Sequence, residues 1–138
     1  MAGPTITRNV NFSWNNGVTS VGNAVKTATL VGNVANERAF SNTQLVLNTA
    51  DEPVELLDVS ITQQYVIMLT NKDVTNFVTV KVETGAATYH IIGRMYPGES
   101  WGPVRMPVPA STPYPRLAVR ADTGSCNVEV ICGEALLA

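Results

Sequence analysis

From Thr5 to Trp14 apolar and polar residues alternate, so that Ile6, Val10, Phe12 and Trp14 fall on one face, interrupted by Arg8. A period of two is that of an extended strand, whose side chains point alternately to either side. Asn15-Asn16-Gly17 then predicts a turn, because Asn and Gly tolerate positive φ. Gly22-Asn23 and Gly32-Asn33 bracket a second strand over Ala24–Val31, and Asn36 to Asn42 reads as a polar connection.

Beyond Thr43 the pattern strengthens. Strands are predicted over Gln44–Thr49 and Val54–Leu57, separated by a turn at Asp51-Glu52-Pro53. Tyr65–Thr70 is a near-continuous apolar run, the mark of a strand covered on both faces. Asn71-Lys72-Asp73 turns the chain into a strand at Phe77–Val82, and Thr84-Gly85-Ala86 reads as a hairpin turn before Tyr89–Met95. Pro97-Gly98 is a strong turn signal, followed by Glu99–Met106 with Trp101. Pro107, Pro109, Pro113 and Pro115 rule out helix and central strand and predict a stiff extended loop. Leu117, Val119 and Ala121 alternate, and Asp122-Thr123-Gly124 leads into a closing strand at Asn127–Cys132. No stretch carries the helical i, i+3, i+4, i+7 pattern with caps.

Eight to ten short antiparallel strands with frequent turns predict an all-β fold, a β-sandwich or jelly roll. At 138 residues the chain suits one domain, 1–138, with part of the more polar 1–42 expected as an extended N-terminal arm.

Charge changes the picture more than hydrophobicity does. Hydrophobic residues make up 45%, an ordinary share, but charged residues only 14% against the usual ~25%. Asn, Thr, Ser and Gly take their place, giving a polar, weakly charged surface that suits permanent packing into an assembly. The net charge is −2 and the cations are scattered, so no basic stripe exists to track a phosphate backbone, and nucleic-acid binding is not expected. Met1-Ala2-Gly3-Pro4 has no basic region followed by an apolar stretch, so no secretory signal is expected. No apolar run approaches the ~20 residues that span a bilayer.

Cys126 and Cys132 share the last predicted strand. Six residues of straight strand span roughly 20 Å, too far for a disulfide. Their even spacing places both on one face, as buried thiols.

Candidate chemistry is sparse. His90 is the only histidine and lies within a strand, which reads as a structural position. No nucleophile elbow or phosphate cradle is present, and neither a cofactor nor a metal is implied. Asp51, Glu52, Glu55 and Asp58 form the densest carboxylate group; Glu52 or Glu55 could serve a glycosidase, but the spacing fits no metal loop and an exposed turn explains it. No enzyme is expected. Trp14, Trp101, Tyr65, Tyr96 and Tyr114 could form a carbohydrate-stacking face, against which stands ordinary core or interface packing; Trp101 and Tyr114 are expected to be the most exposed.

The stretch from Gln44 to Gly133 resembles small structural proteins of tailed bacteriophages. The likeness lies in the order of SNTQLV (41–46), TADEPVELLDV (49–59), LTNKDVTNFVTVKVETG (69–85), YPGES (96–100) and LAVRADTGSCNVEVICGE (117–134). The resemblance implies a jelly-roll or sandwich virion component, made in the host cytoplasm and placed on the capsid surface as a decoration or cement protein. Its partners would be the major capsid protein and copies of itself, a trimer being favoured on general grounds. Interface contacts are expected from Ile6, Phe12 and Trp14 in the N-terminal segment, from Trp101, and from Pro107, Pro109 and Tyr114 in the Pro-rich loop. The alternative is a carbohydrate-binding adhesion module of a tail or fibre, the only reading in which a glycan is a partner.

Overall fold

The computed structural model describes residues 5–15, 20–31, 39–55, 65–106 and 114–134, with side chains described over 41–133. Among these residues there are ten strands and no helix. The strands are β1 (Thr5–Asn15), β2 (Ser20–Val31), β3 (Ala39–Leu47), β4 (Glu52–Pro53), β5 (Tyr65–Asn71), β6 (Val78–Gly85), β7 (Thr88–Met95), β8 (Ser100–Arg105), β9 (Arg116–Ala121) and β10 (Ser125–Glu134). β1 and β2 form a two-stranded antiparallel ribbon of their own. The other eight build two four-stranded sheets in the orders β3-β10-β5-β8 and β4-β9-β6-β7, antiparallel throughout.

One rolled ribbon generates this order. Leu47 faces Ser125, Glu52 faces Val119, Val66 faces Arg105 and Val78 faces Met95. The first half of the ribbon, β3 to β6, is therefore paired rung by rung with the second half, β7 to β10, from the ends to the tip at Ala86–Ala87. Rolling the ribbon sends alternate pairs to alternate sheets, and the β10–β5 and β9–β6 ladders close each sheet. That is the eight-stranded jelly roll.

The core lies between the sheets. Val46, Ile67, Leu69, Val78, Val80, Met95, Val119, Val128 and Val130 are buried in one cluster drawn from both. Removing each such side chain from water stabilises the fold by about 1.5–3 kcal/mol. Tyr65, Ile67, Leu69 and Asn71 of β5 are buried on the inner face, whereas Met68 and Thr70 on the other face are half-buried, so the strand is covered on both faces only in part; β10 and β8 pair its two edges.

Several boundaries differ from the sequence expectation: β2 begins at Ser20, so that Gly22-Asn23, expected to bracket the strand, lie inside it, and β3 ends at Leu47 rather than Thr49. β3 begins at Ala39, inside the segment read as a polar connection, because its backbone pairs with β10 whatever the side chains. The turn expected at Asp51-Glu52-Pro53 is instead the short strand β4, and Val54 and Glu55 follow it outside strand; Val54 still donates its N–H to Leu117 O at 3.0 Å. The hairpin turn sits one residue later than predicted, at Ala86–Ala87, where Ala87 takes φ 54°. The expected arm falls partly on β1 and β2; Met1–Pro4, 16–19 and 32–38 lie outside the described residues.

Candidate interaction surface

Two groups of large apolar side chains lie outside the core. On β3 the pleat sends Gln44 and Val46 inward and leaves Leu45 58% and Leu47 40% exposed; Ile131 of the neighbouring β10, 39% exposed, lies farther along the same face, opposite Ser41. On β7, Ile91 and Ile92 are 63% and 44% exposed. Their pairing explains why consecutive residues both face out: Gly93 pairs with Val80 and Ile91 with Lys81, so Ile92 is the extra residue of a β-bulge.

These groups occupy opposite margins of the sandwich. β3 is the outer strand of its sheet on the side that contacts β9, while β7 is the outer strand of the other sheet on the side that contacts β8.

Trp101 is less exposed than expected. It is half-buried on β8 and packs against the core. A Cβ at Gly93 would stand 3.0 Å from Trp101 Cδ1 and 3.1 Å from Nε1, so the missing side chain at Gly93 makes room for the indole. Trp101 thereby fastens the β8 margin of one sheet to the β7 margin of the other. Tyr114 is also half-buried, with the Arg116 guanidinium 5.4 Å from its ring centroid. Ile6, Phe12 and Trp14 lie on β1, but their side chains, like Pro107 and Pro109, are outside the described residues.

On the outer face of the β4-β9-β6-β7 sheet, polar side chains of β6 and β9 pair with one another. Glu83, 2% exposed, accepts from Arg116 Nε, and further hydrogen bonds from the Ala87 N–H and the Tyr89 hydroxyl pin it beneath the hairpin tip. The Arg116 hydrogen bond is the main reason its carboxyl is held below the ordinary value of 4.5, with the Arg116 charge and the other donors adding to it against desolvation. A carboxylate with a depressed folded pKa contributes stability above its unfolded pKa and loses it as pH falls toward the folded one. Glu83→Gln is therefore expected to lower stability by about 1–2 kcal/mol at pH 7, discounted for the 40% exposed Arg116 side chain. The gap between wild type and variant should close as pH falls below 4.5 in denaturation curves; a gap independent of pH would refute an ionised Glu83.

Among the expected carboxylates, Asp51 forms a 2.7 Å ion pair with Lys81, Glu52 is in β4, and exposed Glu55 gives its backbone N–H to Gln44 Oε1 at 2.9 Å. Asp58 is outside the described residues. No group of three or more His, Cys, Asp or Glu that could hold a metal occurs among the described residues. His90 is exposed on β7.

Both cysteines are buried thiols on the inner face of β10, as their spacing predicts. Burial pushes the Cys126 thiol up, with Asp73 and Asp122 adding to it, so it stays protonated. Burial likewise pushes Tyr65 up to about 12, with Cys132 contributing.

No known protein family, curated protein or solved structure matches this chain. Sequence reasoning missed Leu45 and Leu47 because the apolar run Leu45-Val46-Leu47 does not show which face is inward. Gln44 is buried with Val46: its amide donates to Pro53 O at 3.0 Å while Oε1 accepts from the Glu55 N–H, tying β3 to the opposite sheet.

Proposed function

We propose that this protein is a structural component of a tailed-bacteriophage virion, a decoration or cement protein that bridges subunits of the major capsid protein. The observation that carries this reading is the pair of exposed apolar groups on opposite margins, Leu45 and Leu47 on β3 and Ile91 and Ile92 on β7. A bridging protein needs two separate contacts on a stiff spacer, and two apolar groups held apart by an eight-stranded core meet that need. The low charge and the resemblance to phage structural proteins point the same way.

The test is co-sedimentation of the purified chain with capsid shells, together with melting of the shells. The protein is expected to bind, and to raise the temperature at which shells release their contents. Ile91→Glu together with Ile92→Glu should weaken binding at least ~10-fold, a buried charge costing several kcal/mol, without changing the melting of the isolated chain. Absence from purified particles and no affinity for any shell would overturn the reading.

One observation favours the carbohydrate alternative, at Tyr96 rather than at Trp101 or the buried Tyr65. Tyr96, 51% exposed, packs in a tilted arrangement against Phe77 with ring centroids 5.5 Å apart, and the Arg94 guanidinium lies 4.9 Å from the Phe77 centroid. Glycan-array binding that is lost on Tyr96→Ala would move the assignment to an adhesion module.

A further inference from the structure

A sheet that ends in an unpaired strand offers a row of main-chain donors and acceptors, and proteins blunt such edges with short strands, proline, charge or bulges. The jelly roll has four such margins, and three are blunted. β4 is two residues long and includes Pro53. β8 carries Gly102, Pro103 and Arg105 and is out of register with β5 between Ile67 and Leu69. β7 contains Arg94 and breaks register with β6 twice.

β3 has none of these devices. Its nine residues, Ala39–Leu47, contain no charge, proline or glycine, and its ladder with β10 runs without a register shift. No strand among the described residues covers its other side.

The groups facing that open side can be named. Asn48, next in register beyond the strand, donates its N–H to Gly124 O of the β10 side at 3.0 Å. Backbone direction alternates along a strand, so the even-numbered residues of β3 bond to β10. Ala39, Ser41, Thr43, Leu45 and Leu47 turn their N–H and C=O groups outward, and Thr43 is the middle of the five.

We infer that the open edge of β3 pairs with β3 of a second copy of this chain, antiparallel about a two-fold axis through Thr43. That register uses the whole strand and matches large residues to small ones. Thr43 meets its own copy, Leu45 meets Ser41, and Leu47 meets Ala39. Ile131 already lies beside Ser41 in its own sheet. The partner's Leu45 therefore arrives on a row whose only intervening side chain is a serine, and the exposed Leu45 and Ile131 can close over it. No like charges meet within the paired strands, and the two sheets become one of eight strands. A contact of this kind uses the same patch on both molecules and closes at two copies. A trimer, favoured on general grounds, would need a different surface.

The pairing does not rest on the virion reading, and its test involves no shell. Analytical ultracentrifugation of the full chain across the micromolar range should give a monomer–dimer equilibrium. Thr43→Lys sets like charges on the axis while its own chain offers Glu129 as a neighbour. It should weaken dimerisation at least ~10-fold, like-charge juxtaposition costing several kcal/mol, with an unchanged thermal melt at concentrations where both chains are monomeric. Thr43→Cys should form a disulfide-linked dimer on oxidation, since directly opposed hydrogen-bonded residues stand ~5.5 Å apart, within disulfide reach. Leu45→Cys should not, being opposite Ser41. A chain that stays monomeric, a Thr43→Lys dimer as tight as wild type, or cross-linking through Leu45→Cys equal to that through Thr43→Cys would each overturn the inference. A chain that dimerises in this way but ignores capsid shells would overturn the virion reading alone.

Discussion

Asn71→Ala should cost about 3 kcal/mol of folding stability. Asn71 is fully buried at the end of β5, and its side chain serves three backbone groups at once. Nδ2 donates to Asn76 O and to Met95 O, both at 2.9 Å, and Oδ1 accepts the Asp73 N–H at 2.9 Å. Its main chain accepts from Gly98 N at 3.0 Å and donates to Glu99 O at 2.9 Å. One residue thus holds the corner leading into β6, the end of β7 and the corner leading into β8. Truncation leaves two carbonyls and one N–H without that partner, each worth about 1–3 kcal/mol if buried. Water entering from the open side beside Pro97 and Gly98 offsets part of the loss. Urea unfolding should show a lower midpoint with an unchanged slope, and the melting temperature should fall by about 10 °C. Asn71→Asp should be at least as damaging, because it turns a negative charge toward two carbonyls. A loss below ~1 kcal/mol for the alanine variant would show that the corners hold without the amide.

Gly102→Ala should be comparably severe, for a steric reason. Gly102 adopts φ +95°, and an added Cβ would come within 2.7 Å of Ile67 O, 3.2 Å of Val104 N and 3.4 Å of Met68 Cα. All three are backbone atoms, so no side chain can move aside; β8 must lift from β5 or the residue must change conformation. Backbone strain of about 1–3 kcal/mol and overpacking of similar size give an expected loss of about 3 kcal/mol. Because Trp101 is the preceding residue, its fluorescence should report the displaced strand. Gly98 is the control: it also has positive φ, 81°, but nothing stands within 4 Å of an added Cβ. Gly98→Ala should cost only the ~1–2 kcal/mol of left-handed backbone. Equal losses at the two positions would refute the close approach of β8 to β5.

How much of this is legible in the sequence differs from element to element. The apolar run at Tyr65–Thr70 and the alternation of Leu117, Val119 and Ala121 are strong because many side chains agree about which face is inside. The cysteine spacing is strong for the same reason, a fixed rise per residue. The strand at Gln44 is legible but its facing is not, because Gln44, a polar residue, is stabilised inside by two specific hydrogen bonds that join residues nine and eleven positions apart. The start of the same strand is also hidden, since the ladder to β10 asks nothing of the side chains at 39–42. Trp101 reads as exposed from its Gly-Pro neighbours, and only the distant Gly93 explains why it is half-buried. The candidate contact surfaces follow from pairings between residues far apart in the chain, the Ile92 bulge and the open side of β3, which local pattern does not encode.

The rolled ribbon also decides where the protein can change length. β9 is bonded to β4 on one side and β6 on the other. A residue inserted within it would reverse the facing of every residue on one side of the insertion, for example turning Val119 and Ala121 outward and Arg120 into the core, since side chains alternate. Both neighbouring ladders would slip with it. The exposed corners at 49–50 and 122–124 carry no such penalty, because doubling a loop there costs only about 0.6 kcal/mol. Ile92 marks where a strand has already absorbed one surplus residue, at the margin where only a single neighbour must adjust. Insertions and deletions among descendants of this chain should therefore gather at the corners and outer strands, leaving β9 and β10 constant in length.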